Sequence, residues 1–373
     1  MSRQQNPTDC EPSVPVWDKF VRIFHWSLVL CIFTAMVTGF LMGPEMVPVH
    51  VYAATTATVL LFLRILWGFF GPTYARFSSF TFSPRTILLH ALAVRSGHAK
   101  RYLGHNPLGG AMILALIAAI ALLGVTGAVV LGGVLKIGPL AGFASYMTGD
   151  VAKEVHESIA QFLLVLVVGH IGGVAFESKH ANDPLVPAMV TGKKPARDGD
   201  VKSPTVRVYL RTMVVVSALG LAITVGGMTA MASKKSANMP VTNISPLVAD
   251  ECTACHMFYH PSLMPAKSWA ALTATLDDHF GEDASLDEDT TAEIRDWLMT
   301  HASETADTQP ANIFTRALAD GAFTLTETRF WKQMHHEFSD ADFSAAPVYT
   351  KSNCAACHKD ASTGMFSPFK IEE

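Results

Sequence analysis

Five long apolar runs constrain this chain more than any other feature. They cover about 21–41, 50–70, 110–133, 155–176 and 212–232. A helix needs roughly 20 apolar residues to cross the hydrocarbon core of a bilayer. In lipid a single segment can satisfy its own backbone N–H and C=O groups only as a helix. A buried soluble helix is the competing reading. The stretch from Ala111 to Leu135, without one charged residue, argues against it. The chain is 50% hydrophobic and 16% charged, too apolar for an ordinary soluble protein. Beyond about 233 it turns polar and acidic, with no further spanning run. The expected fold is all-α: a four-helix membrane bundle, a fifth anchor helix and a mainly helical terminal domain.

The net charge of −4 says little, because the charges are unevenly placed. Arg and Lys gather on the cytoplasmic side of a membrane protein. Here they occupy the N-terminal tail (Arg3, Lys19, Arg22), the loop after the second run (Arg76, Arg85, Arg95, Lys100, Arg101) and the loop after the fourth (Lys179, Lys193, Lys194, Arg197, Lys202, Arg207, Arg211). The opposite loops hold only Lys136 and Lys153, with Lys234 and Lys235 after the fifth run. The N-terminus is therefore expected in the cytoplasm and the tail on the outer side of the membrane. No cleavable signal peptide is evident, and the first run reads as an uncleaved anchor. Cys10 and Cys31 read as structural.

The tail carries Cys252-Thr-Ala-Cys255-His256 and Cys354-Ala-Ala-Cys357-His358, which use four of the six cysteines. C-x-x-C-H is the attachment sequence of c-type haem. The thiols form thioethers to the porphyrin and the His becomes the proximal iron ligand. Zinc is the weaker reading, because a zinc pair needs no following His. Haem c attachment places the tail outside the cytoplasm, independently of the charge argument. Each iron then needs a sixth ligand or stays open. The candidates are His260, His279, His301, His335 and His336, with Met257, Met264, Met334 and Met365 behind them.

Ionisable residues within spanning helices are costly and usually functional. Four His stand out: His25, His50, His156 and His170. The last two are 14 residues apart, about 21 Å along a helix and nearly on one face. Alternating helix directions place His25 and His170 near the cytoplasm and His50 and His156 near the outside. These pairs suit two non-covalent b haems stacked through a bundle. Arg64 follows His50 by 14 residues and reads either as a propionate partner or as a snorkelling interface residue. Arg22 and Arg76 are interface residues first and propionate or quinone contacts second. His105 is a further candidate for a quinone site.

Trp17-Asp18-x-x-x-Arg22-x-x-His25-Trp26, Arg64-x-x-Trp67-Gly68, Ala75-Arg76-Phe77, Gly104-His105-Asn106-Pro107-Leu108-Gly109-Gly110 and Met189-Val190-Thr191-Gly192-Lys193-Lys194 resemble the bacterial cytochrome b561 family over about 17–195. That resemblance implies a four-helix, di-haem membrane cytochrome exchanging electrons with quinones or partner subunits. The fifth helix and the tail depart from the minimal family. The tail resembles the small di-haem cytochrome c family through Cys252-x-x-Cys255-His256-Met257, Pro265-Ala266-x-Ser268-Trp269, Leu276-x-Asp278-His279-Phe280-Gly281-Glu282, Thr326-x-Thr328-x-Phe330-Trp331, His335 and Asn353-Cys354-Ala355-Ala356-Cys357-His358. The resemblance implies bis-His haems, with His279 completing the first and His335 the second. His336 competes with His335, while His260 and His301 match no motif position and read as surface residues. It also implies a high-spin, gas-binding cytochrome c as one class of electron recipient.

The expected segments are a cytoplasmic tail (1–16), a cytochrome b domain (17–178), a basic loop (179–211), a fifth transmembrane helix (212–232), a linker (233–247) and a di-haem cytochrome c domain (248–373). The expected function is passage of electrons from membrane quinol through two b haems and two c haems to a soluble periplasmic c-type cytochrome. The alternatives are a haem enzyme acting on oxygen, superoxide or nitric oxide, and the membrane anchor of a larger dehydrogenase or hydrogenase-like complex. Membrane lipid is an expected partner and nucleic acid is not.

Overall fold

The structure is a computed structural model that describes residues 13–234, 236, 238–368 and 370–371. Arg3, Cys10, Lys235 and most of the 1–16 tail lie outside the described residues. Among the described residues, five helices are long and apolar enough to cross a membrane: α1 (Lys19–Phe40), α2 (Val47–Phe70, with the preceding turn from Pro44), α4 (Pro107–Gly133), α5 (Tyr146–His180) and α7 (Leu210–Ala232). A short helix, α3 (Pro84–Arg95), lies between α2 and α4, and α6 (Leu185–Thr191) follows α5. The protein is an integral membrane protein. Leu30, Phe33, Val165, Val168 and Ile171 stay exposed on these helices, as side chains that meet lipid rather than water do.

The chain forms two compact units. The first contains 13–42, 49–126 and 154–227. Its bundle interior is small and apolar, built on Leu61, Ala119, Ile120 and Leu163. Asp18 starts α1 by accepting from Val21 N at 3.1 Å, an N-cap that satisfies an orphan helix donor. Its other oxygen accepts from Trp67 Nε1 at 3.1 Å, which ties α1 to the end of α2. Gly68 is required where Phe77 crosses, because a Cβ there would lie 2.2 Å from the Phe77 ring.

Two short strands, β1 (Ser13–Pro15) and β2 (Lys193–Pro195), pair antiparallel with Val14 opposite Lys194. Beneath them is a buried charge network. Asp183 accepts from Lys194 Nζ at 2.8 Å and Arg101 Nη2 at 2.9 Å, and Arg101 also holds Asp200 at 2.8 Å. The basic residues expected to mark one membrane face are here partly consumed in ordering it.

The second unit contains 43–48, 127–153 and 228 onward. Its terminal part is helical: α8 (Pro246–Cys252), α9 (Ala266–Thr273), α10 (Glu288–Thr300), α11 (Gln309–Ala317), α12 (Arg329–Met334) and α13 (Asp340–Ser344). Val248, Met264, Trp269, Ile294, Leu298, Phe314 and Leu318 form its core. Asp287, Thr308 and Thr328 cap α10, α11 and α12 through side-chain oxygens.

Two sequence expectations need correction here. His260 is not a surface residue but is fully buried, with Nδ1 against Ser262 Oγ at 2.7 Å and Nε2 against Val241 O at 2.8 Å. His301 is half-buried beside Trp297, whose carbonyl oxygen lies 2.8 Å from its Nδ1. Neither matched a haem motif, and polarity alone suggested exposure; their hydrogen bonds make burial tolerable. α5 also begins earlier than the apolar run at 155, because helix boundaries follow hydrogen bonding and polar residues extend it back to Tyr146.

Candidate haem sites

Four pairs of imidazole rings face one another. His25 and His170 have ring centroids 6.5 Å apart, and His50 and His156 6.3 Å. In the terminal domain, His256 and His279 are 6.1 Å apart and His335 and His358 6.2 Å. Two metal–imidazole bonds of about 2.0–2.1 Å, plus about 1.1 Å from each nitrogen to its ring centre, separate axial rings by roughly 6.3 Å. The spacing therefore fits one iron between each pair. The bundle pairs are those expected from helix direction, His25 with His170 and His50 with His156.

Hydrogen bonding orients several of these rings. A ring that ligates through Nε2 carries its proton on Nδ1 and donates it to a neighbouring oxygen. His156 Nδ1 lies 2.9 Å from Thr126 Oγ1, and Thr126 donates its own hydroxyl to Leu122 O at 2.9 Å. His50 Nδ1 lies 3.0 Å from Ala35 O. His256 Nδ1 is 2.7 Å from Met257 O and His335 Nδ1 2.9 Å from Trp331 O. In all four, Nε2 is left for a metal. Both nitrogens of His260 are engaged instead, which removes it as a ligand candidate. His336 is 71% exposed, with its Nδ1 2.9 Å from Gln333 O, and it is His335 that meets His358.

Burial and the facing imidazole of His256 lower the His279 pKa from its ordinary value. Burial, then the facing His335, lowers that of His358 as well. Both effects favour the neutral imidazole that binds iron. The two C-x-x-C-H segments sit at element ends: Cys252 closes α8, and Cys354–Ala356 form a 3₁₀ turn. His358 N donates to Cys354 O at 2.8 Å, folding that motif into one turn. Among the described residues, no cluster of three or more His, Cys, Asp or Glu side chains could hold a bare metal ion.

The arginines differ in their commitments. Arg64 is 4% exposed, with its guanidinium 5.7 Å from the Phe77 ring centre and 5.8 Å from that of Phe80. It therefore does not snorkel, and its Nη1 is buried without a protein partner among the described residues. A propionate would suit that atom. Arg76 donates to Gly71 O at 2.8 Å and Arg207 O at 2.6 Å, and Arg22 donates to Val190 O; both hold loops together. His105 packs between Trp17 and Phe80, 4.6 Å and 5.1 Å away. Burial, then the charges of Arg64, Lys194 and His170, hold its pKa down at about 3.

Nothing local in the sequence marks Thr126 or the Asp183 network for a hydrogen-bonding role. A Thr 30 residues from the His it supports leaves no local signal.

Two family models match this chain: prokaryotic cytochrome b561 over residues 16–192, and dihaem cytochrome c over 248–366. The chain joins a cytochrome b561 region to a dihaem cytochrome c domain. Its b561 part is similar to the probable Ni/Fe-hydrogenase 1 B-type cytochrome subunit of Escherichia coli (strain K12), 25% identical over 235 residues, covering 53% of this chain and 98% of that protein. A probable Ni/Fe-hydrogenase B-type cytochrome subunit of Bradyrhizobium diazoefficiens is 27% identical over 217 residues, covering 50% of this chain and 88% of that one. A solved diheme cytochrome c from Rhodobacter sphaeroides is 40% identical and covers 34% of this chain and 98% of its own, with a TM-score of 0.29. The protein is a membrane b-type cytochrome fused to a dihaem c domain, and both b-type and c-type haem belong to it.

Proposed function

We propose that this cytochrome carries electrons from membrane quinol to a soluble c-type cytochrome in the periplasm. His25 with His170, and His50 with His156, would each hold one b haem. His256 with His279, and His358 with His335, would each hold one c haem, anchored by Cys252 and Cys255 and by Cys354 and Cys357. A bound haem supplies one-electron redox chemistry without making or breaking bonds at the protein. With two imidazoles to hold each haem, no iron position would stay open to oxygen, carbon monoxide or nitric oxide, which favours carriage over catalysis. Thr126 and Ala35 O fix the tautomers of His156 and His50. Arg64 would meet a propionate, while Arg22 and Arg76 brace the loops at the same end.

The observation that carries this reading is the set of four ring pairs at 6.1–6.5 Å. The distribution of Arg and Lys supports a cytoplasmic N-terminus and a periplasmic dihaem domain. A second reading, anchor subunit of a hydrogenase-like complex, is favoured by the names of the relatives. Mixing the purified protein with a reduced quinol analogue, then with an oxidised soluble cytochrome c, separates the two. Prompt reduction of b and c bands followed by reoxidation supports the quinol route. No reduction by quinol, with a large catalytic subunit co-purifying, supports the anchor.

A further inference from the structure

The outer loops hold almost no basic residues, yet Lys136, between α4 and α5, has a side chain only 1% exposed. A buried ammonium is costly unless it is paired. Lys136 Nζ meets Asp307 Oδ2 at 2.6 Å and donates to Ala144 O at 3.3 Å. The Asp307 carboxylate also accepts from Tyr146 N, the first residue of α5, at 3.0 Å to each oxygen. A carboxylate at a helix N-terminus is favoured by the helix dipole as well. The backbone N of Asp307 donates to Asn238 O at 2.7 Å. One residue beside α11 therefore holds the α4–α5 loop, the start of α5 and the linker. Lys136 sits at φ 55°, a left-handed conformation uncommon for lysine, which the ion pair helps to hold.

A second seam lies alongside. Ser236 Oγ donates to Ala141 O at 2.5 Å, and Lys234 Nζ stands 4.3 Å from the centre of the Phe143 ring. A Cβ on Gly142 would lie 2.6 Å from Lys234 O, so the approach requires glycine. All of these contacts fall within one compact unit.

We propose that Asp307 is a positioning residue for electron passage, clamping the α4–α5 loop to the dihaem domain through Lys136 and Tyr146 N. The proposal rests on the electron-carrier reading above. Without the side-chain clamp, the α4–α5 loop would depend more on the Ser236–Ala141 and Lys234–Phe143 contacts of the second seam. The step affected would be simple in balance: a reduced b site would give one electron to an oxidised c site, with no bond or proton changed.

The test compares the full-length protein with Asp307→Ala, Lys136→Met and the double variant. Two quantities are read: hydrogen–deuterium exchange over 134–146, and the rate at which the c band gains electrons from pre-reduced b sites. Each single variant should speed exchange in the loop and slow b-to-c transfer by more than about twofold, because electron tunnelling weakens steeply as donor and acceptor move apart. The double variant should add little, because one interaction is being removed. Absorption spectra should keep all haems low spin. Unchanged exchange in both single variants overturns the proposal. So does faster exchange with a rate within twofold of the unaltered protein. If Asp307→Ala loses haem, Lys136→Met decides alone. If even the unaltered protein passes no electrons from b to c, the carrier reading fails, and exchange alone decides whether the clamp exists.

Discussion

Replacing Thr126 with Val should raise the potential of one b haem and leave the other unchanged. Val keeps the shape of Thr but removes the oxygen 2.9 Å from His156 Nδ1. The helix loses little else, since the hydroxyl otherwise donates to Leu122 O of its own turn. A hydrogen-bonded Nδ1–H makes an imidazole a more basic ligand and so favours the more positive ferric iron. A neutral hydrogen bond contributes about 0.5–1.5 kcal/mol net. For one electron, about 1.4 kcal/mol is tenfold and about 59 mV. The shift is therefore upward with a ceiling of about 65 mV, because only the part of the bond's strength that differs between ferric and ferrous iron counts. Thr126→Ser should retain most of the original value, and the partner ligand His50 keeps its own bond to Ala35 O. Potentiometric titration of the b α-band, fitted to two components, measures it. A downward shift, or an equal shift in both components, would refute the reasoning.

His170→Ala should halve the b haem content and spare the c haems, because His156 lies 14 residues away, about 21 Å along α5; pyridine haemochrome spectra measure the ratio. His335→Ala should turn one c haem high spin and carbon monoxide-reactive, while His336→Ala should not, since His336 points to solvent. Asp183→Asn should lower thermal stability by up to about 3–5 kcal/mol, because it strips the anion from buried Lys194. Burial raises the Asp183 pKa, but hydrogen bonds from Lys194 and Arg101 outweigh it and leave it lowered. That contribution is complete above the unfolded carboxylate pKa of about 3.9 and fades as pH falls through the lower folded value. Melting followed by haem release should therefore decline below about pH 4 in the unaltered protein and less in the variant.

The spans, the proximal His256 and His358 and the two membrane ring pairs were legible in the sequence for physical reasons, whereas His279 and His335 were marked only by resemblance to the di-haem cytochrome c family. Lipid demands length and apolarity, and thioether attachment demands C-x-x-C-H, so both leave local marks. The His25–His170 and His50–His156 pairing followed from alternating helix direction alone. What sequence hid depends on distant contacts. Lys136 read as a stray loop charge because its partner Asp307 lies 171 positions on. His260 read as surface because the carbonyl of Val241 that makes its burial tolerable is 19 residues back. Arg64 could have pointed either way along its helix, and only the packing of Phe77 and Phe80 shows which.

The central claim is that four histidine pairs each close on one iron. Iron analysis of the purified chain, combined with pyridine haemochrome spectra and a carbon monoxide difference spectrum of the reduced protein, tests it most directly. The account predicts four irons per chain, equal b and c haem, and almost no change on adding carbon monoxide. A different ratio, or a large carbon monoxide shift in the unaltered protein, would contradict it.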